Sequence, residues 1–286
     1  MPPASARIDR VIRRGFTEIA EGQVHYRTAG EGGDLPLVMM HASPGSARLL
    51  EPLIAAFGRQ RRVIACDTLG NGDSCQPARR DADIAYFADA HRRALDALGI
   101  DRFDLYGSHT GANIACEIAI AAPDRVRRLV LDGVSLYAPE ERADMLVHYA
   151  PGVTLDQNGS QLQWIWNFVR DAYLFWPWYK RDAAHRRPLG LPSAEELHDK
   201  VVEVLKSARS YHISYNAAIG YDKEPRLKLV SVPTLLACAR SDMLFEYFER
   251  VRALMPKAEP LVTRGIGAPD AFAETVAAFE AFYARP

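Results

Sequence analysis

The turn Gly107-Ser108-His109-Thr110-Gly111 holds a histidine at its centre. A strand-like run, RFDLYGS, enters the turn, and an Ala/Ile-rich run, TGANIACEIAIAA, leaves it. In the pattern G-x-S-x-G a strand-to-helix turn of this kind exposes a serine nucleophile. An imidazole raised at the same position titrates near neutrality and can give or take protons. That suits proton transfer beside a carbonyl: an isomerisation, a lyase step of the retro-aldol or decarboxylase kind, or activation of water for hydrolysis. Direct attack by the imidazole to form an acyl-imidazole is the less economical route. Ser108 is a nucleophile by type, but one place before the tip its side chain should point away from a pocket.

The elements that must position this turn follow from hydrophobic periodicity. LPLVMMH (35–41) is a continuous apolar run, the mark of a strand buried on both faces. Pro44-Gly45 breaks it, and Leu49, Leu50, Leu53, Ile54 and Phe57 then keep helical spacing. RRVIACD, TLGNGDS and IAYFADAHRRALDALGI repeat strand, Gly-rich loop and helix, and VRRLVLDG is a further strand after the helix at 110. This alternation means βαβ units and a parallel sheet with helices on both faces. Ahead of it, FTEIAEGQVHYRTAG reads as two short strands around Glu21-Gly22. From 134 to 228 the rhythm gives way to helices, PEERADMLVHY, SQLQWIWNFVRDAYLFW and SAEELHDKVVEVLKSARSYHISYNAA. VPTLLACARSD, MLFEYFERVRALMP, AEPLVTRG and DAFAETVAAFEAFYA then restore it. The prediction is a core domain of residues 1–133 and 229–286 with a helical lid, 134–228, inserted between two of its strands.

In open parallel sheets ligands bind beyond the carboxyl ends of the strands. Four loops fall at such ends: His41-Ala42-Ser43-Pro44-Gly45, the 67–74 segment DTLGNGDS, the turn at 109, and Ala239-Arg240-Ser241-Asp242. In this order and spacing the chain resembles the α/β-hydrolase fold from about residue 15 to its end, with 134–228 in the place of the cap domain. HASPG resembles the family's HGxPG oxyanion loop with Ala42 for glycine, DTLGNGDS its DxxGxGxS segment, and GSHTGA its nucleophile elbow. The resemblance implies a nucleophile at 109, an acid at Asp242 and a base histidine in TRGIGAPDAF. It also implies an oxyanion hole made by the N–H groups of Ser43 and Thr110. Two of the three triad positions depart from that pattern: residue 109 is His, and no histidine follows the last strand. A serine without a base to take its proton is not activated. Expected chemistry therefore centres on His109, oriented by Asp242 or by Asp132, where some members of the family place their acid. Asp132 equally suits a turn cap before Gly133.

Other candidate residues follow from their positions in the chain. All four tryptophans lie in WIWNFVRDAYLFWPW (164–178), which suits lid packing, a contact between two copies of the chain in a homodimer, or substrate lining, with Trp166 the candidate for lining. His212 shares the apolar stripe of Leu197, Val201, Val204, Leu205 and Ala208. It is either a buried structural group or a lid residue facing the substrate, the first to test as a replacement base, with His148 behind it. His91 and His25 read as structural, and His41 as a brace of the oxyanion loop.

Composition excludes several classes. The 286 residues, 48% hydrophobic and 25% charged, suit a globular chain. The 36 acidic and 35 basic residues nearly cancel, so no net field draws the protein to nucleic acid or to an anionic membrane. Cys66, Cys75, Cys116 and Cys238 lack metal or redox spacing, and Cys66, Cys116 and Cys238 read as buried free thiols. The histidines are too dispersed for a metal site, and TLGNGDS lacks the Walker lysine. MPPASARIDRVIRR has no apolar core for a signal peptide, and no window suits a membrane span. The expectation is a cytoplasmic, cofactor-free enzyme acting on a small carbonyl- or ester-containing molecule with an apolar or aromatic body. The alternative is a non-catalytic small-molecule-binding pseudo-hydrolase.

Overall fold

The computed structural model describes residues 12–33 and 35–285. The run MPPASARIDRV, with what was read from it about a leader and the start of the core, lies outside those residues.

Eight strands form one sheet: β1 (Arg13–Ile19), β2 (Gly22–Ala29), β3 (Leu37–Met40), β4 (Val63–Cys66), β5 (Phe103–Ser108), β6 (Val126–Asp132), β7 (Thr234–Ala239) and β8 (Glu259–Thr263). Their order is β1-β2-β4-β3-β5-β6-β7-β8. The hairpin β1–β2 and the β2–β4 pair are antiparallel, and every pairing from β4 to β8 is parallel. All four residues of β3 and of β4 are buried, because helices cover both faces of the sheet there. Each fully buried Leu or Ile contributes roughly 1.5–3 kcal/mol.

Between strands run α1 (Glu51–Phe57), α2 (Ile84–Ala97) and α3 (Thr110–Ala121), with α9 (Phe248–Leu254) and α10 (Pro269–Tyr283) near the end. Pro52 explains why α1 starts late: it sits in the first turn, where its missing N–H costs nothing, and a short 3-10 turn at Ala47–Leu50 precedes it. α3 is buried along nearly its whole length, as its nearly all-apolar sequence requires.

Between β6 and β7 come α4 (Pro139–His148), α5 (Ser160–Leu174), α6 (Ala194–Lys206), α7 (Tyr211–Gly220) and α8 (Lys223–Leu227). The run expected as one helix over 193–218 is two, α6 and α7, parted at Ser207–Ser210. The Ser207 hydroxyl there bonds back to the Glu203 carbonyl at 3.1 Å, the local competition that ends helices. This segment has a core of its own, built from Met145, Tyr149, Ile165, Phe168, Trp178 and Tyr211 with their neighbours. Among the described residues no helix is long and apolar enough to cross a membrane.

Candidate active site

β5 ends at the turn and α3 begins directly after it, so residue 109 occupies the join. His109 has φ 51° and ψ −112°, and it is the one non-glycine residue at positive φ among those described. Its N–H donates to the Asp132 carbonyl at 3.0 Å, and its own carbonyl accepts from Ala112 and Asn113 at 3.0 and 3.3 Å. Gly111 is required next to it: a Cβ there would lie 2.2 Å from the Met40 carbonyl oxygen. Such a backbone costs a side-chain-bearing residue roughly 1–3 kcal/mol, partly offset in glycine by the entropy it loses on folding. A His109→Gly variant is expected to melt about 2 °C or more above His109→Ala, since both lack the ring and the strain relieved in glycine exceeds the extra folding entropy it loses. Calorimetry of the two variants checks it; equal melting temperatures would show an unstrained elbow.

The imidazole Nε2–H donates to Asp242 Oδ2 at 2.8 Å. Asp242 follows β7 and is itself held by the Leu244 N–H, 2.8 Å from Oδ1. Burial opposes charge on both groups. Their mutual attraction outweighs it, so His109 is raised above the ordinary histidine value and Asp242 held below the ordinary carboxylate one. Asp132 takes a different partner. The Tyr106 hydroxyl donates to its Oδ2 at 2.8 Å, and burial pushes its pKa up. Of the two acids, it is Asp242 that meets the ring. Gly133 (φ +69°) makes room for the pair: a Cβ there would stand 2.6 Å from His109 Cδ2 and 2.8 Å from Nε2.

Ser43 and Thr110 are both buried, and no acceptor among the described residues takes the amide N–H of either. His41 ties the loop after β3 to the loop after β4. It donates from Nδ1 to the Ala42 carbonyl (2.8 Å) and accepts at Nε2 from the Thr68 N–H (2.9 Å). Burial holds its pKa below the usual value, so the ring stays neutral. His91 and His25 are likewise buried among polar partners, Thr68 and Asp67. His25, Asp67 and Asp73 bring ligand atoms within 4.8 Å of one another. Protein groups already occupy them: His25 with Asp67 at 2.8 Å, and Asp73 with Lys206 at 2.7 Å.

His109 and Thr110 open onto a cavity of about 30 Å³ walled by Tyr137, Trp176, Tyr215 and Met243 among others. That is room for one or two waters. The α6–α7 side of the helical segment is fastened to the sheet's loops by polar contacts. Ser46 bonds Glu203, the Ser210 hydroxyl donates to Gly70 O at 2.6 Å, and Ser214 meets both Ser43 and Asn71 at 3.1 and 3.0 Å. On the opposite side, Trp176 Nε1 donates to the exposed Glu246 carboxylate at 3.2 Å.

Two substrate-binding candidates lie away from the His109 cavity. Trp166 is 39% exposed on the outer face of α5, because Ile165, Phe168 and Val169 set the buried face. The tryptophan at the cavity is Trp176, while Trp164 and Trp178 pack against Phe168 within the segment's own core. His212 stands beyond the break between α6 and α7, which resets the helical phase. It lines a separate groove with Arg80 and Ile84, and burial lowers its pKa. His148 is exposed and bonds within its own helix. The loop after β8 supplies no base: Arg264 there pairs with Asp270 and Glu274 at the surface. Two cations went unnoticed in the sequence, Arg187 and Lys200. The charge of the first bears on Asp242 and that of the second on His109.

A family model described as the alpha/beta hydrolase fold matches residues 36–268. The 2-hydroxy-6-oxononadienedioate/2-hydroxy-6-oxononatrienedioate hydrolase of Paraburkholderia xenovorans (strain LB400) is 31% identical over 246 residues, 79% of this chain and 78% of that one. The 2-hydroxymuconate semialdehyde hydrolase of Pseudomonas sp. (strain CF600) is 40% identical over 122 residues, so the match spans 41% of this chain and 42% of that relative. The enol-lactonase from Burkholderia xenovorans LB400 superposes with a TM-score of 0.74 at 17% identity, over 95% of this chain and all of that one, a likeness of fold.

Proposed function

The chain belongs to the α/β-hydrolase-fold family, and from that premise we propose a hydrolase in which the His109–Asp242 pair activates water without a covalent intermediate. The observation that carries this reading is the 2.8 Å contact between Asp242 and an imidazole held at the elbow. With Nε2–H given to Asp242, Nδ1 keeps a lone pair for the cavity. It takes a proton from a water, and the hydroxide attacks the substrate carbonyl carbon. The oxyanion is received by the N–H groups of Ser43 and Thr110; losing one such donor typically costs about 10²–10³-fold in rate. As the tetrahedral carbon collapses, the bond to the leaving alkoxide or enolate breaks. The proton on His109, stabilised meanwhile by the Asp242 carboxylate, passes to that group.

The similar proteins are named as hydrolases of 2-hydroxymuconate semialdehyde and of 2-hydroxy-6-oxononadienedioate, and the substrate here is read as a small ester, lactone or enol-ketone. An apolar or aromatic body suits the walls of Tyr137, Trp176 and Tyr215. The segment 134–228 serves as the cap, and it must open to admit any such molecule into about 30 Å³.

The test is a panel of aryl esters, lactones and β-diketones with rapid-mixing kinetics, intact-protein mass spectrometry and a fluorophosphonate probe. Turnover of at least one class is expected, with no burst, no acyl adduct and no labelling. A labelled serine would overturn the mechanism. Ligand binding without turnover across the panel would return the protein to the non-catalytic reading.

A further inference from the structure

We propose that Asn113 is the specificity residue of the His109 cavity, its side-chain carboxamide taking an uncharged hydroxyl of the molecule on which His109 acts. The inference rests on that cavity being the substrate site.

The placement is set by the first turn of α3. Asn113 stands four residues after His109, the spacing of neighbours on a helical face. Its N–H donates to the His109 carbonyl at 3.3 Å, which ties the one backbone to the other. His109, Thr110 and Asn113 accordingly line the same cavity. Asparagine is a poor choice here on propensity, because its amide competes with the helix for backbone partners. Directly behind it α3 is apolar and buried, at Ile114, Ala115, Cys116, Ile118 and Ala119.

Asn113 is 4% exposed, and among the described residues nothing hydrogen-bonds to its carboxamide. That group carries two donors and an acceptor, and buried amides nearly always find partners. Leaving one unpaired is costly. The rest of the polar wall is engaged: His109 by Asp242, Trp176 Nε1 by Glu246, the Ser135 hydroxyl by Tyr137, and Tyr215 by Tyr149. The buried Thr110 hydroxyl, three residues away on the same turn, is the other group left over. The wall holds no lysine, arginine or carboxylate, so a charged group entering it would lose its water with only the imidazole to answer it. A hydroxyl fits better. It donates to the carboxamide oxygen of Asn113 and accepts from Thr110, which satisfies both at once. A buried polar group satisfied only by the right ligand rejects the analogue that lacks the partner.

Phenol and its near-isostere fluorobenzene are the probes, with wild type, Asn113→Leu and Asn113→Asp, and binding is read from the NMR signals of the His109 ring. Wild type is expected to bind phenol about tenfold more tightly than fluorobenzene. The preference should fall to about twofold or less in Asn113→Leu and survive in Asn113→Asp, which keeps an acceptor oxygen. Melting temperatures separate this role from a structural one. Asn113→Leu is expected to melt about 2 °C or more above wild type, because an apolar side chain of like size removes an unpaired amide. An asparagine that held the fold together would make the same variant melt lower. A preference undiminished in Asn113→Leu or lost in Asn113→Asp, a lowered melting temperature of Asn113→Leu, or no phenol binding to wild type overturns the proposal. Neither binding nor melting needs turnover, so failure of the hydrolytic mechanism is seen separately, in the panel and the fluorophosphonate probe.

Discussion

His109→Ala is expected to lose hydrolysis by about 10³–10⁴-fold, the full worth of a positioned general base. No other group in the cavity takes over. Its remaining polar walls are Thr110, Asn113, Ser135, Tyr137 and Tyr215, none of them a base near neutral pH, and burial drives the Tyr137 and Tyr215 phenols further from ionisation. His41 is neutral with both ring nitrogens bonded, and His91 is pushed down to about 3 by burial. His109→Ser is expected to be as inactive as His109→Ala. It restores the outline of the family elbow, but Asp242 would then face a hydroxyl with no imidazole between them, and residues 264–268 contain no histidine. Steady-state rates on the best substrate of the panel decide the matter; activity that survives either variant would place the base elsewhere.

Asp242→Asn should slow kcat/KM by about 10²-fold or more and move its pH dependence in a defined direction. The working form of His109 is the free base, so the rate rises with pH through the pKa of the ring. Asp242 raises that pKa, which places the wild-type rise above the usual histidine range. In the amide variant burial still disfavours the imidazolium while its counter-charge is gone, so the rise moves to lower pH even as the plateau falls. Stability follows the same linkage. The raised His109 pKa contributes stability that is fully present below the ordinary histidine value and lost as pH rises through the folded one. The lowered Asp242 pKa contributes stability present above the ordinary carboxylate value and lost as pH falls through its folded value. A pH–rate profile that does not move in Asp242→Asn would separate the carboxylate from the catalytic ring.

Much of this arrangement could be read from residues alone, and the reason is local. Continuous apolar runs such as LVMM and VIAC have few alternatives to a doubly covered parallel strand, and the Gly-x-x-x-Gly frame at 107–111 encodes close contact of α3 with β3. Asp242 was reachable because it follows a strand at a fixed place in the fold. What escaped depended on helical phase over distance. The break at Ser207–Ser210 turned His212 toward another groove, and Ile165 and Phe168 together claimed the buried face that left Trp166 outside.

The closed cavity sets how the protein meets its ligands. With about 30 Å³ beside His109, the proposed reaction requires a form in which the helical segment has parted from the sheet. The contacts would give the parting a direction, with the Ser210 and Ser214 side as hinge and the Trp176–Glu246 and Tyr247–Glu141 contacts together as latch. If the open form were populated one time in about a hundred, every ligand would bind about a hundredfold more weakly than its fit to the open pocket warrants. Association would then be limited by the cap rather than by diffusion. Loosening the latch would accelerate capture of all substrates alike, whereas choice among them would still rest with the groups inside.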